Sequence, residues 1–104
     1  MIYRLIVVRE VEDEAQSIYD WIANRSLEGA VRWFEAFVKA VYSLKRNPER
    51  CGMAAESPFR GKSLRQLIFR APSGQRYRLL FTIIGDDVRV LHLRGPGQDL
   101  LSED

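Results

Sequence analysis

The sequence predicts an α+β fold in the order β-α-α-β-β-β, with an antiparallel helical hairpin packed on one face of a small, mainly antiparallel four-stranded sheet. Three observations predict it. The stretch Arg76 to Arg94 reads as two strands joined by a tight turn. Two amphipathic segments precede it with only a short polar break between them. The opening residues alternate in a third strand-like pattern, which needs a sheet to join.

Met1 to Arg9 alternates Tyr3, Leu5 and Val7 against Arg4, Ile6 and Val8, the pattern of a strand covered on both faces. Glu10, Glu12, Asp13 and Glu14 then suit the first turn of a helix, where carboxylates complement the exposed amides. Ala15, Ile18, Tyr19 and Ile22 continue at helical spacing, with Trp21 beside the stripe. Asn24 to Glu28 is a polar break in which Ser26 can cap a second helix. In that helix Val31, Phe34, Val38, Val41 and Leu44 form the core stripe, widened by Ala30 and Phe37, until Asn47-Pro48 stops it.

Glu49 to Lys62 holds Gly52, Pro58 and Gly61 and has no period, so it reads as a loop packed by Met53 and Phe59. From Ser63 to Arg70, Arg65, Leu67 and Phe69 alternate with Leu64, Gln66, Ile68 and Arg70. Ala71-Pro72-Ser73-Gly74 turns the chain into the next strand. There Tyr77, Leu79, Phe81 and Ile83 oppose Arg76, Arg78, Leu80, Thr82 and Ile84. After the turn at Gly85-Asp86-Asp87, strict alternation puts Val88, Val90, His92 and Arg94 on one face and Arg89, Leu91 and Leu93 on the other.

The totals exclude several classes. At 104 residues, 46% of them hydrophobic, the chain suits one domain over residues 1–104 with a single packed core. Its longest apolar runs fall far short of the roughly 20 residues of a membrane-spanning helix, and no leader pattern opens it, so a cytoplasmic protein with no membrane association is expected. One cysteine, Cys51, and one histidine, His92, make neither an internal disulfide nor a tetrahedral zinc site, and no metal or cofactor is expected. The net charge of +2 conceals a division: Arg60 to Arg94 carries eight basic residues against two acidic ones, while the flanking segments are acidic overall. A basic sheet face of this kind attracts phosphates, nucleic acid or acidic peptides.

The order of elements, the Asn47-Pro48 stop, the segment Gly61-Lys62-Ser63-Leu64-Arg65-Gln66-Leu67, the Tyr77-Arg78-Leu79-Leu80-Phe81 strand and the Leu91-His92-Leu93-Arg94 ending together resemble the RelE/ParE superfamily of bacterial toxins, also known as plasmid-stabilisation proteins. The long helical hairpin, with an Ala-rich and aromatic second helix, looks closer to the ParE-like members. The resemblance implies the toxin component of a type II toxin-antitoxin system, neutralised by a cognate antitoxin, as a homodimer or a toxin-antitoxin hetero-oligomer. ParE-type members poison DNA gyrase without hydrolytic chemistry, which is the first expectation here. RelE-type members cut messenger RNA on the ribosome, which is the alternative. A non-toxic, antitoxin-binding module is a third.

In the gyrase reading Arg65, Arg70, Arg76, Arg78 and Arg94 are recognition groups for target or antitoxin, and the antitoxin's acidic tail lies along the helices or the sheet edge. In the nuclease reading Arg78 and Arg65 stabilise the phosphorane charge and His92 shuttles the proton. The end of the chain departs from the nuclease pattern. Gly95 stands where a second histidine is common, Gly97 and Gln98 where arginines are common, and Leu100 to Asp104 supplies no tyrosine.

Overall fold

The computed structural model describes residues 2–96. Strand β1 (Arg4–Val7) leads into helix α1 (Arg9–Ala23) and helix α2 (Leu27–Ser43), and β2 (Arg65–Arg70), β3 (Arg76–Ile84) and β4 (Asp87–Arg94) complete the sheet. The strand order is β1-β4-β3-β2. The β2-β3 and β3-β4 pairs are antiparallel, and β1 lies parallel to β4, so the expected α+β arrangement with a mainly antiparallel sheet is present. A parallel neighbour needs a long crossover, and the helical hairpin, together with the rest of the chain, supplies it.

Local chemistry sets the element ends. The Ser26 hydroxyl accepts from the Gly29 amide at 3.0 Å and caps α2. At the other end Asn47 takes a left-handed conformation with φ 49° ahead of the turn Pro48–Arg50, and Arg50 donates to the Arg46 and Asn47 carbonyls at 2.8 and 3.1 Å. The same guanidinium also reaches the Ser43 carbonyl of the last turn of α2 at 3.5 Å, one of those that the end of a helix leaves without intrahelical partners. Gly85, with φ 59°, provides the positive φ needed at the first position of the two-residue β3-β4 turn.

The main core lies between the sheet and the helices. Trp33 stacks on Phe37 with centroids 5.5 Å apart and planes 7° apart, and meets Tyr77 edge-on at 5.6 Å. Leu79, Phe81, Val88, Val90 and Leu93 form the sheet's side of it. A smaller cluster of Ala54, Phe59, Leu64 and Leu80, with Leu91 against it, fills the opposite face under the loop. The loop is thus packed by Phe59, as expected, whereas Met53 is exposed and Ala54 and Leu64 take the place foreseen for it.

Two expectations are corrected. The core line of α2 runs through Ala30, Trp33, Phe37, Ala40 and Val41 and on to Leu44, while Val31 and Phe34 remain 45% and 46% exposed. Apolar residues cover more of this helix than one face needs, so periodicity alone selected the neighbouring stripe. The β3-β4 register also slips: Leu80 opposes His92 but Phe81 opposes Val90, leaving Leu91 as the extra residue of a β-bulge. Beyond it the faces exchange. Leu93 joins Val88 and Val90 in the main core, and His92 and Arg94 point to the other side, opposite to the strict alternation expected.

Candidate functional site

The bulge decides which arginines meet. Cross-strand partners project to the same face. Arg70 opposes Arg76 and Arg78 opposes Arg94, so four of the five expected recognition arginines share the sheet face away from the helices, across three adjacent strands. His92 joins them through its pairing with Leu80. Arg65 does not. It opposes Phe81 in the row that faces the helices, and its guanidinium donates to the Glu49 and Cys51 carbonyls at 3.2 and 2.6 Å, fastening the loop to the start of β2.

The four arginines differ in environment. Arg70 and Arg76 are exposed and directly opposite one another, a like-charge pair that is unfavourable without a counter-anion. Arg78 is engaged within the fold. Its two terminal nitrogens grip both carboxylate oxygens of Glu56 at 3.0 and 2.8 Å, and one of them also donates to Gln66 Oε1 at 3.0 Å. The side chains of Arg78 and Glu56 are 21% and 0% exposed, so this is a buried, bidentate pair. Arg94 is half-buried at the end of β4. The expectations for Gly97, Gln98 and the last residues lie outside the described residues.

His92 meets Phe59 edge-on at 5.7 Å. Burial holds its imidazole below the ordinary value; Glu10 and Glu56 pull it up, while Arg94 and Arg60 push it down. A base whose folded pKa is depressed binds fewer protons than in the unfolded chain, so stability is lost as pH falls from about 6.5 toward the lowered value. We expect the protein to unfold more easily at pH 5 than at pH 7.5, and His92→Gln to remove part of that difference, measured by urea denaturation at both pH values. Glu14, whose carboxyl is raised by burial, acts in the opposite direction in both proteins, so the comparison isolates His92.

A second surface was not singled out from sequence. Leu27, Val31, Phe34 and Tyr42 are exposed along α2 and, with half-buried Val38, form an apolar stripe beside the core line. This stripe borders a groove of about 860 Å³ between β1 and the two helices, walled by Leu5, Val7, Tyr19, Phe34, Val38 and Tyr42. Tyr19 and Phe34 meet edge-on across it at 6.3 Å. Lys45, over the Tyr42 ring at 5.1 Å, and Arg4, paired with Asp87 at 2.9 Å, outnumber the single acid Glu12 among the lining residues and leave the rim basic. The sheet contributes an edge as well. Arg4 and Val8 donate toward β4 and Tyr3 donates to the Lys45 carbonyl, which turns the backbone of Leu5 and Val7 outward along the groove. The excess of apolar letters in α2 was the signal that could have found this surface.

Comparison with known proteins places this architecture. The profile of the ParE toxin of the type II toxin-antitoxin system parDE matches residues 5–100. Among solved structures, the chromosomal ParDE toxin-antitoxin system from P. aeruginosa is similar over 90% of this chain and 96% of that one, with a TM-score of 0.69 and 21% identity, a likeness of fold. A search of the curated proteins finds no match. With the profile spanning nearly the whole chain, the protein belongs to the ParE toxin family of type II toxin-antitoxin systems.

Proposed function

We propose that this chain is held inactive by a cognate antitoxin seated in the groove between β1 and the helical hairpin, and that its target is DNA gyrase. The observation that carries the antitoxin half is the groove itself: aromatic and aliphatic walls, an outward-turned strand edge and a cationic rim suit an amphipathic segment with acidic flanks. The ParDE system among the structural relatives supports the same pairing.

The gyrase half rests on family membership and on how the arginines are deployed. Cutting RNA requires a base and cationic groups converging on one phosphate. Arg65 sits on the opposite side of the sheet from Arg78, and Arg78 already holds a carboxylate, which disfavours the nuclease alternative. Purified protein added to gyrase is expected to suppress supercoiling, and the antitoxin to restore it. Unchanged supercoiling at large excess, with no cleavage complex, would remove the gyrase reading and leave antitoxin binding to be judged separately.

A further inference from the structure

The Arg78-Glu56 pair carries an inference independent of both halves of that reading. We propose that Glu56 is an internal plug, and that Arg78 is the centre of a phosphate-binding site which the chain keeps closed with its own carboxylate. A guanidinium fork binds carboxylate and phosphate through the same two parallel hydrogen bonds, so a bidentate carboxylate at Arg78 occupies the position a phosphate would take. The surroundings suit an anion of higher charge than one carboxylate. Arg94 is the cross-strand partner of Arg78, and Arg70 and Arg76 follow on the same face.

Glu56 is delivered by a segment that is itself anchored. Ala54, Phe59 and Leu64 pack on Leu80 and Leu91, the Ala54 amide donates to the Leu64 carbonyl at 2.8 Å, and the Leu64 amide donates to the Ser57 hydroxyl at 3.0 Å. A carboxylate tethered this way competes at a high effective concentration, so free anions in solution do not displace it. The arginine face is therefore occupied at Arg78 and open at Arg70 and Arg76. Loosening the segment around Glu56 would add Arg78 to that exposed pair.

The test is a titration with inorganic phosphate at low ionic strength, followed by the side-chain Nε-H resonance of Arg78 and by calorimetry. In the wild type the Arg78 resonance is expected to stay in place. In Glu56→Gln, which keeps the shape and removes the charge, phosphate affinity is expected to rise by about tenfold with movement at Arg78, the scale of one charge-assisted hydrogen bond gained. Adding Arg78→Gln should abolish the gain. If Glu56→Gln does not fold, Glu56→Asp, which withdraws the carboxylate by one methylene, is expected to bind phosphate about threefold more tightly, a weaker version of the same exchange. The proposal is overturned if the wild-type Arg78 resonance moves with phosphate, if the folded variant binds no better than the wild type, or if the gain survives loss of Arg78.

Discussion

Phe34→Glu is expected to weaken antitoxin binding by at least about 100-fold while leaving thermal unfolding nearly unchanged. The reasoning combines two positions of one side chain. Phe34 is 46% exposed in the free protein, so replacing it removes little of the core. In the complex it would lie at the centre of the groove wall, where an aromatic anchor typically carries about 2 kcal/mol or more. Glutamate at that place would bring a charge into an apolar contact with no partner, adding a desolvation penalty of about 1–3 kcal/mol. Calorimetric titration with the cognate antitoxin checks the affinity, and a thermal melt checks the fold. Arg32→Ala, on an exposed stretch of α2 where Arg32 pairs with Glu28, should leave the affinity within about threefold, as befits a surface ion pair outside the groove. Equal binding by Phe34→Glu and the wild type would show that the antitoxin sits elsewhere.

Arg78→Ala is expected to destabilise the protein by about 3–5 kcal/mol, because it takes the bidentate guanidinium away from the buried Glu56 carboxylate. For a chain of this length each kcal/mol lowers the melting temperature by about 4–8 °C, so the variant should melt at least 10 °C lower, on the order of the smallest product of those figures. Arg78→Met combined with Glu56→Leu should recover most of the loss, since replacing both partners of a buried pair by apolar groups is often neutral. The exposed Arg4-Asp87 bridge provides the contrast: Arg4→Ala should leave the melt unchanged within error. If Arg78→Ala melts with the wild type, the pair contributes nothing to stability and Glu56 does not hold the loop in place.

These outcomes bear on what the sequence could reveal. Strand and helix positions were legible because period-two and period-3.6 patterns are long and mostly uninterrupted here. Pairing β1 beside the meander followed from its two apolar faces, although the parallel partner, β4, did not. The bulge at Leu91 left no trace in the letters: an extra apolar residue within an apolar run looks like one more step of alternation, yet it moved His92 and Arg94 to the arginine face. Arg65 was legible in part, since its alternation with Leu67 and Phe69 already placed it on the apolar row, but charge pointed toward Arg78 and prevailed. Glu56 was not legible at all. It lies in a segment without period, 22 residues from Arg78, and only tertiary packing brings the two together.

The pairing of β1 with β4 has a consequence for biosynthesis. Strand β1 finds its neighbour only when residues 87–90, far along the chain, have also emerged. Contacts of such long sequence separation form late and slowly. The nascent chain can assemble its helical hairpin early but cannot complete the sheet, nor the β1 side of the groove, until β4 has also emerged. If the antitoxin sits in that groove as proposed, one late pairing completes both the sheet and the seat for that partner.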